Sequence, residues 1–286
     1  MQAPLVLGEY KIYWLNGGTF ELDGGTMFGV VPKVLWEKKL PADTNNFITL
    51  ENRLILIIGP DFNMVIETGI GNKLTEKQKT IFRVTREWNI DTDLEKLNLS
   101  RRDITHVVLT HCDFDHAGGI IMFNGQGKTE LTFSNADHYI QQAEWEDVLQ
   151  PNMRSKSTYW PINFQELIES NSLRLISGDQ QIAKGITVSL SGGHTRGHQV
   201  VWIESAGEKA VHMGDLMPNN AYTNPLWVTP FDNFPLESVE QKKLIFTTAR
   251  ENDMWFLFYH DPSLAACKFN EQGEIIRRWD LPVCDK

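Results

Sequence analysis

The sequence predicts an α/β protein in which two packed β-sheets are covered by helices. Short β-branched, apolar runs arrive in blocks with helical stretches between them, which is the pattern of layered sheets. At 286 residues and 41% apolar content the chain is long enough to bury an ample core. It shows no repeat, low-complexity tract or linker, so 1–286 reads as a single domain.

The elements follow in order. YKIYWL (10–15) alternates weakly and reads as a first strand, followed by a long glycine-containing loop or lid over about 16–46. LILIIG (54–59) and NMVIETG (63–69) flank the turn-like PDF and read as a hairpin. TEKQKTIFRV (75–84) and DTDLEKLNL (91–99) read as helical, and ITHVVLT (104–110) as a buried strand. LTFSNADHYI is expected as a strand leading into the helix QQAEWEDVL. Residues 150–163, polar, aromatic and bounded by prolines, read as an insertion or lid. LRLIS, ITVSLS, VVWIES and KAVHMG are successive strands, LESVEQKKLIFTTARENDM (236–254) is the best long helix, and WFLFYH (255–260) is another buried strand. A closing hairpin turns around Gln272-Gly273.

Composition excludes several function classes. The net charge is −10 and no Lys/Arg run exceeds a pair, against nucleic acid or an anionic membrane as main partner. No stretch approaches the roughly 18 unbroken apolar residues of a membrane span. The glycine-rich stretch lacks GxGxxG and GxxxxGK[ST], so no phosphate cradle is expected. Cys112, Cys267 and Cys284 have no regular spacing and form neither a disulfide framework nor a zinc knuckle. The start, MQAPLVLGEYKIYW, has no basic n-region or long apolar segment, and a soluble cytoplasmic protein is the default expectation.

The chemistry concentrates where strands end. ITHVVLT ends at His111, ITVSLSGG at His194, KAVHMG at Asp215 and WFLFY at His260. One histidine after a strand means little, but ends of neighbouring strands converge, and scaffolds build sites there. THCDFDHAGG (110–119) adds Asp113, Asp115 and His116 to His111 within six positions. In a sharp turn, His111 and Asp113 would point one way and Asp115 and His116 another, so that one loop feeds two metals. Asp215, with two carboxylate oxygens, would bridge them. Gly118 and Gly119 would let the next segment pack close. His198 is expected to hold a ligand by hydrogen bonding rather than to coordinate, His212 to be core or supporting, and His106 and His138 to be structural. Cys112 is expected to turn inward.

This set, His111-x-Asp113-x-Asp115-His116 followed by His194, Asp215 and His260, resembles the metallo-β-lactamase superfamily, whose usual first motif is HxHxDH. The strings WLNGG, GGTMFGVVPK, RSKSTYW, VHMGDLMP, NPLWV and WFLFYHD resemble the YtnP-like branch, regarded as quorum-quenching N-acyl-homoserine lactonases. The resemblance covers nearly the whole chain. It implies an αββα sandwich of two mixed sheets flanked by helices, two divalent metal ions, and opening of a lactone ring by a metal-held hydroxide. His111, Asp113 and His194 would hold one ion and Asp115, His116 and His260 the other.

Zinc is the first expectation. Asp113, where the family has His, keeps manganese or iron open, because a carboxylate suits harder ions than an imidazole does. By resemblance and placement Asp115 is the candidate acid that protonates the leaving alkoxide. Tyr222 is placed to hydrogen-bond a substrate oxygen or simply to pack. The substrate would be a small molecule with an acyl chain. Met27, Phe28, Trp36, Tyr159, Trp160 and Trp227, in irregular segments, would line its groove or a homodimer interface. An esterase, thioesterase or phosphotriesterase of the same fold is the alternative, as is a catalytically silent metal-binding relative.

Overall fold

The structure, a computed structural model, describes residues 3–280. Cys284 lies outside the described residues. Two seven-stranded mixed sheets stack face to face. The first runs Leu5–Leu7, Tyr10–Asp23, Phe47–Ile58, Asn63–Ile66, His106–Val108, Asp137–Gln141 and Leu173–Ile176 in spatial order, antiparallel to Asn63–Ile66 and parallel thereafter. The second runs Gln180–Ala183, Ile186–Leu190, Gln199–Ser205, Glu208–His212, Trp255–Leu257, Leu264–Phe269 and Ile275–Asp280, with one parallel pair, Glu208–His212 beside Trp255–Leu257. With helices outside, this is the expected αββα sandwich.

Period-2 alternation divides each strand between two cores. Ile55, Ile57, Met64, Ile66 and Val108 meet Ile186, Val188, Val201, Ile203, Trp255 and Leu257 between the sheets. The alternate residues Leu54, Leu56, Val65, Val107, Val211 and Phe256 belong to the core beneath the helices. Because both faces are buried, these strands read as continuous apolar runs. The helix Pro235–Glu251 starts with proline at its first position and buries Ser238, Lys242, Ile245 and Ala249, one stripe at helical spacing.

Three element readings need correction. The first strand does not stop at residue 15 but continues to Asp23, through Gly17 and Gly18, where the pairing with Phe47–Ile58 shifts register between Asn16 and Thr19. The glycines mark a bulge inside a strand, not the start of a loop. The strand expected from Leu131 begins at Asp137, because Leu131 closes a separate two-stranded ribbon, Ile121–Phe123 with Thr129–Leu131. The strand Gln180–Ala183 was not foreseen; it is a four-residue edge whose Gln180 and Gln181 are exposed, too short to show an alternating pattern. Residues 150–163 contain only two short 3-10 turns, Ser155–Ser157 and Pro161–Asn163. Among the described residues no helix is long and apolar enough to cross a membrane.

Candidate metal centre

Parallel pairing explains why the ligand-type residues meet. His212 pairs with Leu257 in parallel register, so Asp215 and His260, each three residues further on, emerge side by side. Ile66 pairs with Val108 in the same way, which brings Glu67 and the His111 loop to the same edge. The loop then enters the short helix Phe114–Ala117. A Cβ on Gly119 would overlap the Thr68 carbonyl oxygen, so the close approach anticipated at Gly118-Gly119 occurs.

The structure brings all seven candidate residues together. Asp113 Oδ2 stands 3.4 Å from His111 Nε2 and 3.4 Å from His194 Nε2. Asp115 Oδ2 is 3.5 Å from His260 Nε2 and 3.9 Å from His116 Nε2. Asp215 reaches both clusters, Oδ1 lying 3.4 Å from His116 and from His260 and Oδ2 3.8 Å from His194. Among the described residues three sets have potential donor atoms within 4.8 Å of one another: His111-Asp113-His194, Asp115-His116-His260 and His111-His116-Asp215.

Three of the four outer histidine nitrogens are tied down. His194 Nδ1 is 2.8 Å from Asp232 Oδ1, which also accepts from Thr229 Oγ1. His260 Nδ1 donates to the Glu51 carbonyl at 2.9 Å. His111 Nδ1 faces Thr110 Oγ1 at 3.0 Å, whereas His116 Nδ1, 3.4 Å from Glu67 Oε1, is buried without a hydrogen-bond partner. Such partners fix imidazole orientation and leave Nε2 aimed inward. His111 Nε2 and Asp215 Oδ1 are buried without a hydrogen-bond partner. Buried polar atoms are normally paired, so the donor set fits divalent cations.

The electrostatics agree. Burial opposes ionisation of Asp215, but His116, His260 and His194 outweigh it and hold the carboxyl well below its ordinary value. Burial likewise opposes a charge on His116, yet Asp215, Glu67 and Asp115 drive its pKa well above normal. Burial, reinforced by Asp215 and Asp113 against the pull of His116, pushes the Asp115 carboxyl up to about 7. The cluster is built to hold positive charge.

The remaining histidines stay outside the cluster. His198 Nε2 accepts from the Asp215 backbone N–H at 3.2 Å, and its Nδ1 meets Ser191 Oγ at 2.7 Å. His212 bonds the Leu257 carbonyl, and His106 stacks on Tyr139. Cys112 is fully buried, and burial raises its thiol pKa.

Tyr222 is placed otherwise than a substrate contact requires. Its hydroxyl donates to the Met27 carbonyl at 2.6 Å, and its ring, fully buried, stacks on Phe28. It supports Met27 from behind. The aromatic groove also needs correction. Among the six residues expected to line it, Met27 does so, whereas Phe28 is sandwiched between Trp36 and Tyr222, and Trp160 stacks behind Phe114. Large aromatics anchor irregular segments by burial, and the sequence does not show which way each turns.

The open cleft holds about 260 Å³, with walls that include Phe20, Leu22, Met27, Leu50, Phe82 and Phe114. Asp113, Asp115, His194, Asp215 and His260 face it from the cluster. Glu67, Asp232, Tyr259 and Glu144 were missed by the sequence reading. Glu67 ends a strand like the others and was open to the same rule. Asp232 sits in a loop 38 residues from its histidine and gave no local signal.

The chain matches the model of the metallo-beta-lactamase superfamily over residues 52–246, a span that includes every candidate residue but His260. An N-acyl homoserine lactonase of Bacillus thuringiensis is 25% identical over 198 residues, covering 68% of this chain and 70% of that one. The crystal structure of a probable metal-dependent hydrolase from Staphylococcus aureus is 43% identical, with a TM-score of 0.92 over 97% of this chain and 99% of that one. AidC, a dizinc quorum-quenching lactonase in complex with a product, shares the fold at 18% identity, with a TM-score of 0.77 over 99% of this chain and 97% of that one.

Proposed function

The chain belongs to the metallo-beta-lactamase superfamily and is a metal-dependent hydrolase of that family, and from this premise we propose that it opens the ring of N-acyl-homoserine lactones or related lactones. The observation that carries the reading is the apolar cleft of about 260 Å³ that opens directly onto the His/Asp cluster. It offers an acyl chain a lipophilic wall while the polar head sits on the cluster. The similarity to N-acyl homoserine lactonases supports the same substrate class.

In this reading His111, Asp113 and His194 hold one divalent ion, Asp115, His116 and His260 hold a second, and Asp215 lies between. Zinc is the leading candidate. Bound there, the ions supply Lewis acidity and lower the pKa of water to about 7, giving a nucleophile at neutral pH. The apolar walls, Phe114 and Phe82 stacked at 4.4 Å among them, orient the acyl chain and exclude bulk water. Asp115 takes a proton from the attacking water and returns it to the ring oxygen as the C–O bond breaks, before the tethered alkoxide can reclose the ring. Its main chain is held for this by Tyr259, whose hydroxyl donates to the Asp115 carbonyl at 2.6 Å. Tyr222 takes no part in the proton transfer and keeps Met27 in the cleft wall.

The test is a hydrolysis screen of metal-replete protein over acyl-homoserine lactones of increasing chain length, alongside aryl esters, thioesters and phosphotriesters. The reading expects lactones to give the highest kcat/KM, with KM falling as the chain lengthens. Turnover of esters, thioesters or phosphotriesters with no lactone opening would replace it by a sister activity on the same centre. Absence of all four activities in metal-loaded protein would leave a silent metal binder.

A further inference from the structure

Glu144 looks in sequence like an ordinary charge near the start of the helix Gln142–Leu149. In the fold it is fully buried. Its carboxylate accepts three hydrogen bonds from three separate segments. Oε1 accepts from the Cys112 backbone N–H at 2.7 Å and from the Tyr159 hydroxyl at 2.5 Å, and Oε2 accepts from the Thr195 hydroxyl at 2.6 Å. Cys112 lies between His111 and Asp113, and Thr195 follows His194 directly. Tyr159 belongs to the 150–163 segment, whose Ser157 and Thr158 line the cleft. Gly197 also backs onto this helix so closely that a Cβ there would overlap the Glu144 backbone nitrogen.

We infer that Glu144 is a positioning residue that sets the His111-Asp113-His194 half of the centre by clamping both of its loops from behind; the inference rests on the metal reading above. A carboxyl group suits this place because its two oxygens can accept from all three donors at once. Anchoring the Cys112 N–H fixes the peptide between His111 and Asp113. Anchoring Thr195 fixes the backbone at His194. One side chain thereby sets the gap between Asp113 and His194, now 3.4 Å. The other half is held by different means: Tyr259 on the Asp115 carbonyl, the Glu51 carbonyl on His260, and Glu67 beside His116. Loss of Glu144 therefore acts on one ion and spares the other.

Zinc binding to the full-length protein, read by competition with a chromophoric chelator, resolves the two equivalents. Asp113→Asn identifies which equivalent belongs to the Asp113 half. Glu144→Ala is expected to weaken that equivalent about 10- to 100-fold, the usual range for loss of a partner that orients a metal-binding side chain, and to leave the other within about 3-fold. Glu144→Gln should recover most of the loss, because its amide oxygen still accepts at Oε1 and its NH2 can donate to a rotated Thr195 hydroxyl. Thr195→Val, which removes one donor and keeps the side-chain volume, should weaken the same equivalent by less; it decides the matter if Glu144→Ala fails to fold. Equal weakening of both equivalents, or none in any variant, overturns the role of Glu144 while the metal reading stands. A wild type that binds no zinc, manganese or iron overturns both.

Discussion

His116 and His260 hold their Nε2 atoms 3.1 Å apart. The His260 proton is committed on Nδ1 to the Glu51 carbonyl, which leaves a lone pair on Nε2. Against the cost of burial, Asp215, Glu67 and Asp115 drive the His116 pKa well above normal, so a protonated His116 can donate from Nε2 to that lone pair, with Asp215 Oδ1 3.4 Å from each ring. The three groups hold one positive charge among them, at a place a divalent ion would also fit.

Ions that bind only the folded chain stabilise it, so removal of metal should destabilise the protein. Protein prepared with supplemented metal is expected to carry two divalent ions by elemental analysis. At free metal about 1,000-fold above Kd, binding contributes about 4 kcal/mol, so chelation should lower Tm by roughly 10 °C, and metal should restore it. A metal-free preparation whose Tm ignores chelator and added zinc would contradict the dinuclear centre.

Asp113 sets a second expectation. Its carboxylate faces the cluster, 3.4 Å from two histidines, and is not turned to solvent. Burial works against its charge, but the His111 and His194 imidazoles beside it hold its pKa well below the ordinary value. Asp113→His should raise zinc affinity relative to manganese, because imidazole suits zinc better than a hard carboxylate does. Competition binding with both metals, on wild type and variant, reads the ratio. An unchanged ratio would mean that residue 113 does not coordinate.

Much of this site was legible because strand ends are. Asp215 and His260 lie equally far past paired residues of parallel neighbours, so apolar runs ending in ligand-type side chains point to one place. What stayed hidden was held by long-range contacts from segments without periodicity. Asp232 and Glu144 carry no local mark that separates them from surface acids, yet each meets its partner 32 to 51 residues away. The long first strand was hidden for another reason: Gly17 and Gly18 read as a chain break, and only pairing with Phe47–Ile58 turns them into a bulge.

Tyr222 offers a test of the corrected role. Tyr222→Phe removes the donor to the buried Met27 carbonyl and leaves that oxygen unpaired, which costs about 1–3 kcal/mol. Urea unfolding should show that loss, while kcat on the best substrate stays within about 2-fold. A kcat drop of two orders of magnitude with unchanged stability would place the hydroxyl on the substrate instead.

Acid sensitivity should trace in part to His138, away from the cluster. Its ring is fully buried in the strand Asp137–Gln141. Nδ1 bonds the Ala136 carbonyl at 3.0 Å, while Nε2 is buried with no partner. A second proton would therefore sit on an unpaired nitrogen. Burial is the main cause that lowers the pKa to about 4 from the ordinary 6.5 of a histidine, against the opposing pull of the Ala136 carbonyl and Asp137. Between those values the unfolded chain binds the extra proton and the folded chain does not. Stability is then complete above about pH 6.5 and falls as pH drops towards 4, by about 3 kcal/mol for the whole interval at 1.36 kcal/mol per unit. His138→Asn keeps a donor for Ala136 and cannot titrate. The variant should be less stable at pH 7, from the volume it loses, yet its unfolding free energy should fall less steeply between pH 6.5 and 4.5 than that of the wild type. Parallel pH dependences, measured by denaturant titration of both proteins, would mean that His138 takes up its proton in the folded state and contributes nothing to acid unfolding.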